Sequence, residues 1–168
     1  MKKITTIVSL IFVLLLVFVA SASAATPMNR GEFTAEVTHD LGAEVTLHTR
    51  RAWAAELQAE GGNAKNNPTN TTLKLPGSTN YNSVGVQNYV SPEQGIEATV
   101  RTLKQHCCLY YKIRRRLRDN SSATKIVKGF GESEWGTNLT LVLAVLGDVI
   151  HSRSPNTLEN LEQKGVAH

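Results

Sequence analysis

The chain has 168 residues, with 18 lysines and arginines against 14 acidic residues, and 41% of its residues are hydrophobic. This length suits one ordinary domain rather than two. The composition excludes a collagen, a coiled coil, a disulfide-dense miniprotein and a polytopic membrane protein.

The N-terminus has the three parts of a secretory signal peptide. Residues 1–3 form a short basic start, residues 4–20 are almost wholly apolar, and residues 20–24 (ASASA) are small. The alternative is an uncleaved membrane anchor, but the apolar run is near the lower limit of about 17 to 25 residues for a span. We therefore expect residues 1–24 to be removed on export. The mature protein is then secreted or held in the cell envelope, extracellular or periplasmic.

The two cysteines, Cys107 and Cys108, are adjacent in the chain. Neighbouring residues on a helix point about 100° apart, so a stabilising bridge between them is unfavourable. A vicinal redox pair and a bridge between chains remain as alternatives. We favour two small core residues without a redox role.

In the mature chain we expect a lead-in at residues 25–30, one domain at residues 31–151 and a polar tail at residues 152–168. The apolar spacing from Phe33 to Leu41 predicts a first helix. A second predicted helix is capped by Thr46 and ends at Glu60, where two glycines follow.

The amino-acid composition changes after the second predicted helix. Residues 63–76 are rich in turn-forming asparagine, proline and threonine. Thr71–Leu75 and Val84–Tyr89 alternate like short strands, which predicts a small hairpin lobe with a loop around Asn82.

The rest of the chain predicts more helices. Ser91–Gln94 (SPEQ) is a strong helix start, because serine can cap, proline fits the first turn and glutamine can complete a capping box. Residues 110–117 and 126–130 carry apolar stripes, and Leu139–Ile150 is apolar all round, which predicts a buried central helix. The order predicts an α+β fold, mostly helical, with a cleft between lobe and helical body.

Glu60 is the most suggestive candidate for chemistry. It ends a helix at the expected seam between the lobe and the helical body. The partial negative charge at a helix C-terminus favours the protonated form of a carboxyl group there. A protonated carboxyl group is what glycosidic cleavage needs to protonate the leaving oxygen. The alternative interpretation is a solvated glutamate at a helix end.

Five blocks of sequence occur in a specific order. They are Ala52–Gly62 (AWAAELQAEGG), Asn66–Thr72 (NNPTNTT), Tyr81–Tyr89 (YNSVGVQNY), Glu93–Thr99 (EQGIEAT) and Ser133–Thr137 (SEWGT). Together they resemble a group of lysozyme-like proteins from phages and actinobacteria, related to the lytic transglycosylases. The resemblance covers about residues 31–150, and the second and third blocks are specific in combination. Thr69 departs from the pattern, since an apolar residue is expected there to make a packing contact.

The resemblance implies a lysozyme-like fold in which a catalytic glutamate ends a helix and faces a hairpin lobe, and Glu60 matches that place. Most glycosidases use two carboxylates, but no aspartate lies between Asp40 and Asp119. This fits the single-acid mechanism of lytic transglycosylases, in which one glutamate acts as acid and then as base. Glu134 is a weaker candidate for a second acid, since a solvated residue explains it better.

Several polar and aromatic residues of the lobe are candidates for positioning the sugar. Hydroxyl and amide groups can hold the substrate or a water by hydrogen bonds, and aromatic faces stack on pyranose rings. The alternative roles are turn formation, strand pairing and hairpin packing. The candidates are Thr71 and Thr72 beside the catalytic acid, and Asn67, Asn70, Tyr81, Asn88 and Tyr89 for substrate binding. We expect Trp53 and Trp135 to belong to the core.

The segment Arg114–Arg118 is strongly basic. Export argues against nucleic acid, so an anionic wall polymer or a membrane surface is the partner to expect. The alternative is a solvated helix face. No metal or other cofactor is expected, because the five histidines are scattered without ligand spacing.

The sequence thus predicts an exported, monomeric glycosidase or lytic transglycosylase. It would act on the bond between N-acetylmuramic acid and N-acetylglucosamine in peptidoglycan strands. The alternatives are a non-catalytic wall-binding protein with the same fold, and a small cationic protein that acts on membranes through Arg114–Arg118.

Overall fold

A computed structural model describes residues 28–105 and 109–151. The predicted signal peptide, both cysteines and the predicted polar tail lie outside the described residues. The elements in chain order are α1 (Arg30–Asp40), α2 (Leu47–Glu60), β1 (Thr79–Asn80), β2 (Gln87–Asn88), α3 (Pro92–Gln105), α4 (Tyr111–Arg118), α5 (Ala123–Gly131) and α6 (Leu139–His151). The fold is α+β and mostly helical, as predicted.

The sequence predicts the end of α1 and both ends of α2, whereas α1 begins at Arg30, the last residue of the predicted lead-in. At α1, Asn29 Oδ1 accepts from the backbone N–H of Glu32, and the Glu32 carboxylate accepts from that of Asn29, at 2.8 and 3.2 Å. Thr46 and Thr49 form the same reciprocal pair at the start of α2. Because these side chains satisfy backbone donors that a helix start leaves open, they fix both start points.

At the start of α3, one of the two hydrogen bonds of the predicted capping box has a different backbone donor. Ser91 Oγ accepts from the backbone N–H of Gln94 at 3.3 Å, as expected. The Gln94 side chain accepts from Val90 rather than Ser91, at 3.1 Å, and it also donates to the carbonyl of Pro76 at 2.9 Å. Gln94 therefore ties the lobe to the start of α3.

A single apolar core lies between the helices, with α2 packed against α1, α5 and α6. Trp53 is buried at its centre, where its indole N–H donates to Thr38 Oγ1 at 2.9 Å. Phe130 meets Trp53 edge to face at 4.9 Å between ring centroids, and Trp135 packs on Phe130 at 6.1 Å. Both tryptophans thus belong to the core, as predicted.

The prediction that α6 is a buried central helix is wrong. Only one stripe of α6 is buried, at Val142, Leu146 and Val149, whereas Leu141 is 47% exposed and Ile150 is 40% exposed. The helix packs on α2 from one side because the rest of the described chain supplies no second layer to cover its other face. Among residues 28–105 and 109–151, no helix has both the length and the apolar character needed to cross a membrane.

The predicted hairpin exists, but its first strand is elsewhere. The two strands are β1 and β2, paired antiparallel with Thr79 opposite Asn88, while Thr71–Leu75 is irregular. The backbone N–H of Thr71 is taken by the Asn67 side chain at 2.9 Å, and that of Leu75 by Ser78 Oγ at 3.1 Å. Side chains occupy the donors that a strand would use.

Candidate functional site

Glu60 ends α2 and is half-buried. The next residue, Gly61, has a φ of +59°, and its N–H donates back to the Leu57 carbonyl at 3.1 Å. This left-handed cap ends the helix and turns the chain into the lobe. The Asn70 side chain returns to donate to the Glu60 carbonyl at 3.4 Å, so the lobe contacts the helix at Glu60 itself.

Arg30 holds the turn after Glu60 from the other side. Its guanidinium reaches from α1 to donate to the Gly62 carbonyl at 2.5 Å and to the Leu57 carbonyl at 3.5 Å. Burial lowers the pKa of Arg30 below its usual value. A cation on the last carbonyls of a helix also suits the negative end of the helix dipole. Arg30 therefore fixes the backbone on both sides of Glu60.

Gly62 brings the lobe close to the helix end. A Cβ at this position would overlap the Pro68 carbonyl, so the backbones approach more closely than a side chain allows. A cavity of about 180 Å³ borders this turn, between Arg30, Phe33 and the segment from Gly62 to Pro68. The close contact fixes where the lobe sits relative to Glu60.

Asn67 is the hub of the lobe and is 0% exposed. Its Nδ2 donates to the carbonyls of Thr71 and Gln87 at 2.9 and 2.7 Å, and its Oδ1 accepts from the backbone N–H of Thr71 at 2.9 Å. Thr71 Oγ1 in turn lies 2.8 Å from the hydroxyl of Tyr89, which donates to the Leu73 carbonyl at 2.7 Å. In this structure Asn67, Thr71 and Tyr89 shape the lobe from inside rather than line its surface.

The asparagines of the NNPTNTT block also have a backbone role. Asn66 and Asn70 each have a φ of +54°, in the left-handed region that asparagine tolerates better than most residues. The Asn66 side chain donates to the Tyr89 carbonyl at 2.9 Å. This block therefore folds the loop as well as supplying amide groups near Glu60.

The other predicted site residues are accessible. Thr72 and Tyr81 are exposed, and Asn70 and Asn88 are half-buried. Asn88 Oδ1 accepts from the backbone N–H of Lys65 at 2.8 Å. Sugar contacts by these four residues and by Glu60 stay a prediction that their exposure permits. Glu134 is exposed as well.

Sequence reasoning missed a second carboxyl group on the same helix. Glu56 lies one turn before Glu60 and is 1% exposed. The Thr137 hydroxyl donates to Glu56 Oε1, and Oε2 is buried without a hydrogen-bond partner among the described residues. The signal was present in the spacing, because residue 56 lies three residues after Trp53 and four after Ala52, which are both apolar and share its helix face.

The surroundings of Glu56 keep it neutral at pH 7. Burial raises its pKa to about 8; the hydrogen bond from Thr137 acts against this rise, and the negative charge of Glu60 adds to it. A protonated Glu56 next to an accessible Glu60 gives α2 two carboxyl groups in different environments. Glu56 is too deep to touch a sugar, so only Glu60 of this pair can exchange a proton with a bound ligand.

No metal centre is evident in the part of the chain that the structure describes. There, no three histidine, cysteine or acidic side chains come together as ligands. The arrangement at Glu60 instead offers one half-buried carboxyl group at a helix end, with the amide of Asn70 on the backbone carbonyl of the same residue. Such a set can donate and accept protons and can hold a polar, uncharged ligand by hydrogen bonds.

Comparison with known protein families, curated proteins and solved structures gives no match to this chain. The lysozyme-like resemblance therefore depends on the five sequence blocks quoted above. The structure adds the geometry of two of them: AWAAELQAEGG forms the second half of α2, and NNPTNTT packs against the end of that helix.

Proposed function

We propose that this protein has a lysozyme-like fold and is an exported enzyme that cleaves peptidoglycan glycan strands. The bond is the β-1,4 linkage between N-acetylmuramic acid and N-acetylglucosamine. The observation that carries the proposal is the position of Glu60, an accessible carboxyl group at the end of α2 where Asn70 joins the lobe to the helix. The five motif blocks support it as well.

Glu60 acts first as an acid. Its proton passes to the glycosidic oxygen as the bond between that oxygen and C1 breaks, and positive charge develops on the sugar ring. The Glu60 carboxylate then removes a proton from the nucleophile that attacks C1. With the 6-hydroxyl of the same sugar as nucleophile the product is a 1,6-anhydro sugar, and with water it is a reducing end.

The lobe positions the sugar beside Glu60. The amides of Asn70 and Asn88 recognise N-acetyl groups, Thr72 contacts a ring hydroxyl, and the exposed ring of Tyr81 stacks on a sugar face. The buried residues Asn67, Thr71 and Tyr89 do not contact the sugar. They hold the lobe in the shape that presents the accessible groups.

The test compares Glu60→Gln with Glu44→Gln, an exposed residue before α2 whose substitution changes the charge equally. Purified proteins are incubated with insoluble peptidoglycan, and soluble fragments are quantified. Glu60→Gln should release fragments about 10²- to 10⁴-fold more slowly, because it removes the proton donor. Glu44→Gln should match the wild type. Equal release by Glu60→Gln and the wild type would remove Glu60 from the mechanism.

A wall-binding protein without turnover is the second candidate. The observation that favours it is the internal use of Asn67, Thr71 and Tyr89, which leaves fewer groups to complete a catalytic site. This candidate predicts that the wild type sediments with insoluble peptidoglycan and releases no fragments. Sedimentation together with fragment release supports the enzyme instead.

A further inference from the structure

Positive charge is concentrated on the surface formed by α4 and α5. From residue 111 to residue 132 the cationic residues are Lys112, Arg114, Arg115, Arg116, Arg118, Lys125 and Lys128. The acidic residues of the same segment are Asp119 and Glu132. By contrast, α1 and α3 border a groove lined by one cation, Arg101, and by the acidic residues Glu36, Asp40, Glu93 and Glu97. These two surfaces therefore differ in charge.

Two of these arginines have roles inside the protein. Arg114 donates to the Leu103 carbonyl and so joins α4 to α3. Arg116 donates to the Lys125 carbonyl at 2.9 Å and pairs with Glu132 at 3.1 Å, which joins α4 to α5. Both are only partly exposed. Fold stability therefore explains Arg114 and Arg116 but not their exposed neighbours.

The exposed cations border a groove of about 380 Å³ between α4 and α5, here called the α4–α5 groove. Lys112, Arg115 and Lys125 line it, and Arg118 is exposed on the same helix. Lys112 and Arg115 are three residues apart on α4, which places like charges side by side on one helix face. This spacing disfavours an isolated helix.

The acidic residues of the groove neutralise it only in part. Glu132 accepts from Lys112 at 3.0 Å as well as from Arg116, and Asp119 lies 3.4 Å from Arg115 Nε. Lys112 and Arg115 are exposed, and ion pairs of exposed side chains are weak. An anion that enters the groove can therefore replace the carboxylates as the ion-pair partner of Arg115 and Lys112. Lys125 adds a further positive charge.

We propose that the α4–α5 groove binds a flexible polymer whose negative charges are phosphodiester groups. Charge complementarity supports an anion, and a concave, positively charged groove concentrates the field where a chain would lie. Arginine binds phosphate oxygens through two parallel N–H donors, and lysine binds them as a point charge. A groove suits a chain better than a flat bilayer. This binding is separate from catalysis at Glu60.

The experiment uses poly(glycerol phosphate) as the probe and the purified protein in two charge-matched variants. One carries Arg115→Gln, Arg118→Gln and Lys125→Gln on the α4–α5 side. The control carries Arg50→Gln, Lys74→Gln and Arg101→Gln, which are exposed residues elsewhere. Both lose the same charge, and all six positions are exposed, so both should fold. Thermal unfolding and circular dichroism verify that they do.

The groove variant should bind the polymer at least about tenfold more weakly, and the control should stay within about twofold of the wild type. Raising the salt from about 50 to about 500 mM should weaken wild-type binding, because exposed charges are screened. Glu60→Gln should bind the polymer as the wild type does, which separates this proposal from the enzymatic one.

Three outcomes would overturn the proposal. Equal losses of polymer affinity in both variants would show that the polymer responds to net charge alone. Tighter, groove-dependent binding to vesicles of anionic phosphatidylglycerol would make a membrane the occupant. Absence of polymer binding by the folded wild type at low salt would remove the site altogether.

Discussion

Different interactions stabilise the helical body and the lobe. In the body, large apolar side chains such as Trp53 and Phe130 fill the space between helices. In the lobe, the apolar cluster is small, at Leu75, Tyr89 and the neighbouring Ala98 of α3, and the Asn67 side chain replaces a core with hydrogen bonds to backbone. The packing of the body should tolerate apolar substitutions of similar volume, whereas the stability of the lobe depends on a few buried hydrogen bonds.

Glu56 is a buried carboxyl group in the otherwise apolar body. Its titration should have the largest effect on the free energy of unfolding. Its pKa is about 8 in the folded protein against a usual value near 4.5, so the folded state binds more protons between these values. The free energy of unfolding should therefore fall as pH rises from about 4.5 to about 8, by as much as about 5 kcal/mol. Urea unfolding of the wild type and Glu56→Gln across this range measures it.

Glu56→Gln should remove most of that pH dependence, because glutamine keeps the shape and carries no charge. It should be more stable than the wild type at pH 8.5. Thr137→Val serves as the control, since it removes the hydrogen bond and keeps the carboxyl group. An unchanged pH profile in Glu56→Gln would show that Glu56 is not the group responsible.

In the lobe, Asn67→Ala should cost about 3 kcal/mol, because it leaves the buried N–H of Thr71 and the carbonyl of Gln87 without the Asn67 side chain as partner. Hydrogen exchange should show the damage locally, with faster exchange at residues 64–90 and preserved protection in α2 and α5.

Phe130→Ala is the matching change in the body. It should cost about 4 kcal/mol and speed exchange in all helices that share the core. Uniform loss of protection in both variants would mean that body and lobe unfold as one unit.

The contact between α3 and the lobe gives a test of intermediate size. A Cβ at Gly95 would overlap the Asn66 carbonyl, so Gly95→Ala should cost about 2 kcal/mol. Gly147 in α6 has open space around its would-be Cβ, and Gly147→Ala should instead stabilise by about 0.5 to 1 kcal/mol through helix propensity. Thermal unfolding separates the two; similar shifts would exclude the close approach.

The smallest effect is expected at the Thr69–Thr99 pair. Thr69 Oγ1 and Thr99 Oγ1 lie 2.8 Å apart and are buried, so Thr69 has a hydrogen-bond partner where the lysozyme-like resemblance predicts an apolar contact. Thr69→Val should cost about 1 kcal/mol, and the double change with Thr99→Val should cost no more than either single change. Additive costs in urea unfolding would argue against coupling.

The sequence predicts the body well because apolar spacing and helix caps are local signals. The end of α1, both ends of α2 and the burial of Trp53 follow from residues within a few positions of each other. The prediction failed for α6, because an apolar run does not reveal whether a second layer covers it.

The lobe and the buried acid are harder to predict because they depend on contacts that are distant in the chain. Alternating threonines resemble a strand, and nothing local shows that Asn67 captures their backbone groups. Glu56 becomes unusual only when Thr137, far along the chain, closes over it. The position of Glu60 was predictable, whereas its environment was not.

Cleavage of glycan strands at Glu60 is tested by what the protein releases from peptidoglycan. Mass spectrometry of the soluble products formed by the wild type measures this directly. We expect disaccharide units cut between N-acetylmuramic acid and N-acetylglucosamine, with either a reducing or a 1,6-anhydro end, and at least about 100-fold slower release of them by Glu60→Gln. Intact strands, or products cut only in the peptide stems, would contradict it.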